Sequence, residues 1–323
     1  MTQQWILPDA VFDGARLHRD MAVLTDGVQV LELARDLPMG AMVQRISGVI
    51  SPGFVDLQVN GGGGVLLNQT PSVAGMQAIA ATHRRFGTVA ILPTVITDRP
   101  EVLAQAVAAA IAAKDVQGIA GLHIEGPHIS VARRGTHAAA FIRPMDAVTM
   151  AHVARLRSAG IVVMITVAPE AVTPAQIGEL SALGAVVALG HSDSSFEATN
   201  QCLAAGASCF THLFNAMSQM ENRAPGVVGA AINSQAHAGF ICDGHHVADE
   251  MLKLAFRARP VADRMFLVSD AMPTVGGPES FEIYGQTISL HDGQLLNQEG
   301  SLAGAHITQL EGVARLVGKL GIA

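Results

Sequence analysis

The chain has 323 residues, half of them hydrophobic and only 15% charged, with a formal net charge of −7. That length buries a large core as one big α/β barrel or as two ordinary domains, and a net negative chain without a basic cluster argues against a nucleic-acid partner. The N-terminus MTQQWILPDAVFDG lacks the basic and long apolar regions of a secretory signal, and no apolar run approaches the roughly 18–20 residues of a membrane span, so no membrane partner is expected. Cys202, Cys209 and Cys242 show no CxxC spacing. An odd count without a framework reads as reduced, buried thiols in a cytoplasmic protein.

Residues 1–50 read as short strands with turn signals, and Asp26-Gly27 between two β-rich runs predicts a hairpin. This is a small β-domain or half of one. After SPGF at 51–54 the rhythm changes, and residues 51–323 form the second region. Eight apolar runs follow: FVDLQVN (54–60), TVAILPTVI (88–96), IAGLHIEGP (119–127), IVVMITVAP (161–169), AVVALGHS (185–192), CFTHLFNA (209–216), AGFICDGHH (238–246) and MFLVSDAM (265–272). Helical patterns such as SVAGMQAIAATHRRFG separate them. Continuous apolar strands alternating with helices predict a parallel sheet covered on both faces, and eight of them fit an α/β fold of the (β/α)8 TIM-like barrel type. A doubly wound open sheet is the competing arrangement. The barrel is preferred because polar residues recur at the ends of many strands, not at one switch point. A β-hairpin insertion is expected near 281–296, then a last helix through ITQLEGVARLVGKLG.

Chemistry in such barrels sits at the C-terminal rim of the strands. The rim here carries Gln58 and Asn60, Glu125, His191, His212, Asp243, His245, His246 and Asp270, with His137 in the loop after strand three. A carboxylate at the end of a buried strand needs a partner or a cation. Glu125, His191 and His212 offer one carboxylate and two imidazoles, a set that suits Zn²⁺ or Fe²⁺ with positions left for water. Each histidine alone reads more readily as a hydrogen-bonded structural residue; repetition along one rim favours a metal. Asp270 either caps the following turn or acts as a general base beside the metal water. His123 shares the face of Glu125 and reads as a structural barrel-interior residue. The NGGGG stretch at 60–64 lacks a Walker lysine and the GxGxxG spacing, so a nucleotide site is not expected.

In order along the chain stand PGFVDLQVNGGGG, GLHIEGPHIS with RRGTHAA, ALGHSDSSFEA, THLFNAM, CDGHHV, LVSDAMPTVG and GSLAGA. This ordered set resembles the N-acetylglucosamine-6-phosphate deacetylase family of the amidohydrolase superfamily, over essentially the whole chain. The resemblance implies a metal-dependent hydrolase that converts N-acetylglucosamine 6-phosphate to glucosamine 6-phosphate and acetate in amino-sugar catabolism. It implies Glu125, His191 and His212 as metal ligands, Asp270 as acid/base and His137 on the substrate carbonyl. It implies His246 on the sugar phosphate or a nearby hydroxyl, Asn215 and Ala216 as amide and backbone donors, and Arg223 on the phosphate from a neighbouring subunit of a homodimer.

Gln58-x-Asn60 stands where binuclear members of the superfamily carry His-x-His, so one divalent ion is expected, Zn²⁺ before Fe²⁺, with these amides as a remnant of a second site. Ala138-Ala139 replaces the Asn-Pro that often follows GTH, and His245 precedes His246, leaving open which of the two meets substrate. The resemblance also implies a segment beyond Ala323 that would complete the small β-domain. Two other readings stay open: an amidohydrolase for a different amide, and an inactive phosphosugar-binding barrel.

Overall fold

A computed structural model describes residues 3–298 and 300–322; Ala323, where a continuing segment is expected, lies outside them. The chain divides into two compact units between Gly53 and Phe54, where the sequence places the boundary at 50–51. In the first unit, Gln4–Leu7 pairs antiparallel with Ala22–Thr25 and parallel with Val43–Arg45, and Val30–Ala34 extends the sheet at its edge. A second sheet orders Leu17–Arg19, Ala10–Phe12 and Val49–Ile50. The expected hairpin forms: Gly27 adopts φ +88° and Asp26 Oδ1 accepts the N–H groups of Val28 and Gln29, both at 2.8 Å. Val30, Leu31 and Leu33 on the edge strand are exposed. An edge strand with few buried contacts opens easily. Amide hydrogen exchange in residues 30–34 is therefore expected to outpace that in Val162–Val167 of the second unit by at least 100-fold; equal protection would contradict this.

The second unit holds eight parallel strands: Phe54–Val59, Thr88–Ile96, Gly121–Glu125, Val162–Val167, Val186–Leu189, Cys209–Phe210, His237–Phe240 and Met265–Leu267. Each pairs with the next in chain order, so the order reversal of a doubly wound sheet does not occur. The circle is completed just past the eighth strand. Asp270 N–H donates to Gln58 O at 3.0 Å, Asn60 N–H donates to Ala271 O at 2.9 Å, and Val59 bridges Ala271. The strands are buried almost end to end because helices cover the outside and side chains fill the inside. Helix Pro100–Ala112 carries the alanine-rich stretch and buries Ala106, Val107, Ala109 and Ala110, small residues that allow close packing. Helices starting after Ser72, Asp146, Thr173 and Ser195 have those side chains accepting an N–H of their first turn, each cap worth about 1 kcal/mol.

One expectation is corrected and one is extended. The sixth ladder stops at Phe210 and the eighth at Leu267, so His212 lies past its strand, not on it, and Asp270 stands three residues beyond its own. The cause is local: His191, His212 and Asp270 have φ of 48°, 27° and 52°, and left-handed backbone cannot continue a strand. The hairpin near 281–296 is part of a four-stranded antiparallel sheet, Ser280–Ile283, Gln286–His291, Gln294–Leu296 and Leu302–Ala305. Its first two turns are the pairs Tyr284-Gly285 and Asp292-Gly293, all at positive φ, as two-residue hairpins demand. Its last strand bonds back beside the rim: Ala305 N–H donates to Asp270 O at 3.0 Å and Met272 N–H to Ala305 O at 3.1 Å. The NGGGG glycines serve packing: a Cβ on Gly61 would stand 2.4 Å from Val65 O.

Candidate active site

One cavity at the C-terminal rim is lined by Asn60, Glu125, His137, His191, His212, Asn215, Ala216, His246 and Asp270, closed on its apolar side by Ile96, Ile241, Met272 and Leu302. Of the expected site residues, Gln58 lies directly beneath it, hydrogen-bonded to two of these carboxylates, and Arg223 is outside it. Arg223 is exposed in a neighbouring depression with Arg133, Asp193 and Glu221. Five of the eight described non-glycine residues at positive φ belong to this region: His191, His212, Phe214, Ala216 and Asp270. Each such conformation costs about 1–3 kcal/mol and persists where surrounding structure dictates it, typically at functional sites.

Glu125, His191 and His212 converge. His191 Nε2 stands 3.2 Å from Glu125 Oε1, His212 Nε2 stands 3.1 Å from the same oxygen, and the two Nε2 atoms are 3.0 Å apart. Ligand atoms about 2.0–2.1 Å from one tetrahedral ion are about 3.3–3.4 Å from each other, so the triangle is nearly that of a metal site. Tautomer bookkeeping points the same way. His191 Nδ1–H donates to the Arg133 carbonyl at 2.8 Å, which leaves a lone pair on Nε2 of the neutral ring, aimed at a carboxylate oxygen and a second imidazole nitrogen. Such converging lone pairs repel unless a cation or a shared proton lies between them. The residues therefore fit a divalent ion, and these three are the metal-capable cluster found among the described residues. Burial pushes the Glu125 carboxyl up, but the electrostatic influence of the two facing histidines more than offsets it and holds the carboxyl well below its ordinary range.

Asp270 is held by two amides. Gln58 Nε2–H donates to Asp270 Oδ1 at 3.1 Å and also to Glu125 Oε1 at 3.1 Å, while Asn60 Nδ2–H donates to Asp270 Oδ1 at 2.6 Å. The amide nitrogens are spent on carboxylates, which neutral donors bind without adding charge. Burial and the neighbouring Glu125 charge push the Asp270 carboxyl up to about 6; a cation close by would draw it down again. His137 Nδ1 is 2.7 Å from Thr97 Oγ1, its ring centroid 4.5 Å from that of His191. Burial lowers its pKa to about 3, so the ring is neutral at ordinary pH. His246 Nδ1–H donates to Asp243 Oδ2 at 2.6 Å, and Asp243 Oδ1 accepts the N–H groups of His245 and His246. Asp243 thus turns His246 toward the cavity. His245 lies against Gly293 and does not line the cavity. Asn215 folds its amide back to the carbonyls of His212 and Leu213, and the Ala216 carbonyl accepts Ser192 N–H at 3.0 Å.

His123 is structural, as expected: it is buried between Thr94 and Thr166. Three supports of the site have no counterpart in the sequence reading. They are Thr97 behind His137, the Arg133 carbonyl behind His191, and Glu170, which accepts from Ser192 Oγ and Asp193 N–H at 2.7 Å each and clamps the turn after His191. Thr97 and Glu170 each stand just past the C-terminal end of an apolar run, but that position alone does not say what either would hold.

The chain matches no family model. It is 30% identical over 308 residues to N-acetylglucosamine-6-phosphate deacetylase of Haemophilus influenzae, covering 93% of this chain and 80% of that protein. The chain belongs to the N-acetylglucosamine-6-phosphate deacetylase family. It is 43% identical over 263 residues to N-acetylgalactosamine-6-phosphate deacetylase of Shewanella sp. (strain ANA-3), a match that covers 80% of this chain and 66% of the relative. The crystal structure of the deacetylase of Pasteurella multocida superposes with a TM-score of 0.93 at 32% identity, covering all of this chain and 86% of that one. The matched part is thus about two thirds to four fifths of these two curated deacetylases in length.

Proposed function

We propose that the chain hydrolyses the acetamide of an N-acetylhexosamine 6-phosphate, releasing acetate and the free amino-sugar phosphate. The observation that carries this is the convergence of a metal-capable Glu125–His191–His212 triangle, an amide-held Asp270 and a neutral His137 on one cavity. The ion is one Zn²⁺ per chain, with Fe²⁺ the alternative, because the Gln58 and Asn60 nitrogens are already committed to carboxylates and leave no second ligand set. When bound, it supplies Lewis-acid polarisation and a water activated near neutral pH. Asp270 takes the proton of the attacking water as it adds to the acetamide carbon. His137 donates to the carbonyl oxygen as negative charge grows there. Asp270 then returns the proton to the departing nitrogen, so C–O forms, C–N breaks, and the carboxylate is regenerated.

His246, set by Asp243, faces the sugar or its phosphate, and Asn215 and Ala216 line the same cavity. Arg223 lies outside its own chain's cavity, which fits delivery to the phosphate of a neighbouring subunit in a homodimer. We place the protein in the cytoplasm on the strength of its three free, buried cysteines. No helix among the described residues is long and apolar enough to cross a membrane.

Acetate release from N-acetylglucosamine 6-phosphate by the zinc-loaded chain tests the reading; no release there or from the C4 epimer would end it. The galacto substrate is the second reading, favoured by the name of the 43% identical relative, and the ratio of kcat/KM for the two epimers decides between them. Arg223→Ala is expected to lower kcat/KM for the 6-phosphate by at least 100-fold while changing the unphosphorylated sugar less than threefold, since a bidentate guanidinium–phosphate contact is worth several kcal/mol. Equal losses on both would show that Arg223 does not read the phosphate.

A further inference from the structure

We propose that Thr97 is a positioning residue: its hydroxyl donates to His137 Nδ1 and thereby fixes the ring as the Nε2–H tautomer that can donate to the substrate carbonyl. This rests on the role of His137 in the proposed reaction, which by itself leaves open which nitrogen carries the proton.

The argument is hydrogen-bond accounting. Thr97 follows the second barrel strand and is 1% exposed. Its Oγ1 is 2.7 Å from His137 Nδ1 and has no other hydrogen-bond partner among the described residues. Two assignments are open to the pair. If Nδ1 carried the proton, Thr97 Oγ1 would accept it, and the threonine's own O–H would be left buried with nothing to receive it. If Nδ1 is bare, the hydroxyl donates to it and only an acceptor lone pair goes unused. A buried orphan donor costs about 1–3 kcal/mol, and spare acceptor capacity is tolerated far better. The second assignment wins, and the proton sits on Nε2. That atom has no partner and is not a buried orphan, so it opens onto the cavity that His137 lines.

The threonine is itself fixed. The Tyr284 hydroxyl, from the turn of the first hairpin of the 280–305 sheet, donates to the Thr97 carbonyl. Gly126, the residue after Glu125, leaves the space: a Cβ there would stand 2.3 Å from Thr97 Oγ1. The glycine of the GLHIEGPHIS motif therefore makes room for the hydroxyl that sets the imidazole. A lone pair on Nε2 in place of N–H would face a carbonyl oxygen and repel it, so the tautomer decides whether His137 stabilises the transition state or opposes it.

The test is histidine nitrogen NMR on the zinc-loaded chain, with His137 assigned by its absence in His137→Gln. The parent is expected to show a protonated Nε2 and a bare Nδ1 at this ring; a protonated Nδ1 overturns the proposal without any variant being made. Thr97→Val, which keeps shape and removes the hydroxyl, is expected to lower kcat about 10–100-fold, less than the loss of a whole oxyanion donor. KM should move less than threefold and zinc content should not change. Thr97→Ser is expected to recover most of the rate. Turnover of Thr97→Val within threefold of the parent overturns the proposal, and so does a serine variant no better than valine. A parent that releases no acetate overturns the functional reading instead, and the NMR result then still decides the tautomer.

Discussion

Asp270→Asn is expected to cut turnover by roughly 10²–10⁴, the range of a positioned acid/base, while keeping the fold and the metal. The geometry makes this substitution clean. Gln58 Nε2–H and Asn60 Nδ2–H both donate to the same atom, Asp270 Oδ1. Asparagine keeps an oxygen there and turns its NH₂ to the position of the lost oxygen, so both hydrogen bonds survive and only the proton acceptor disappears. A second effect follows for the metal-free chain. Burial and Glu125 raise the carboxyl from its ordinary value to about 6, so the folded state holds this proton more tightly than the unfolded state does. The resulting destabilisation is absent below the unfolded pKa, grows as pH rises through the window from about 4 to about 6, and is complete above it. Metal-free Asp270→Asn should therefore melt higher than the metal-free parent at pH 7, with the gap closing toward pH 4. Turnover within a few-fold of the parent would remove Asp270 from the mechanism, and a lower melting temperature at pH 7 would show that its charge is not the liability described.

What could be read from the sequence, and what could not, divides along physical lines. The barrel was legible because strands covered on both faces are apolar throughout, and helix-length segments of a different period separate them. Strand ends were not. CFTHLFNA reads as one strand-length run to residue 216, yet its ladder ends at Phe210, because the left-handed turns at His212, Phe214 and Ala216 leave no mark on hydrophobicity. Glu125, His191 and His212 stood out because a carboxylate or imidazole at the end of an apolar run calls for a partner. Their supports did not stand out. The Arg133 carbonyl that orients His191 is backbone and has no residue type. Thr97 is an ordinary strand former by composition and becomes informative only when His137, forty positions away, lies against it. Arg223 is the opposite case: resemblance alone named it, for the phosphate of a neighbouring subunit, and no pattern in its own loop marks it, since it lies outside its own chain's cavity.

His212→Ala is expected to lose most of the bound metal, from about one equivalent to less than about a tenth. Tetrahedral zinc held by three protein ligands falls to two when one imidazole goes, and the vacated position opens to the cavity. Alanine is the informative choice. Residue 212 sits at φ 27°, and glycine would relieve that strain and raise stability for a separate reason, whereas alanine keeps it. The other two ligands are held independently of His212, since the Arg133 carbonyl orients His191 and the Gln58 amide reaches Glu125, so the loss should report coordination and not collapse of the site. Calorimetry separates the two. A ligand that binds only the folded state stabilises it by RT ln(1 + [L]/Kd), about 4 kcal/mol at a thousandfold excess over Kd. Added Zn²⁺ should therefore raise the melting temperature of the metal-free parent by several degrees and leave His212→Ala nearly unmoved, with the two metal-free proteins melting close together. Unchanged metal content in the variant would refute the ligand assignment. Two tightly held equivalents in the parent would refute the single-ion reading and would require Gln58 and Asn60 to release the carboxylates they now hold.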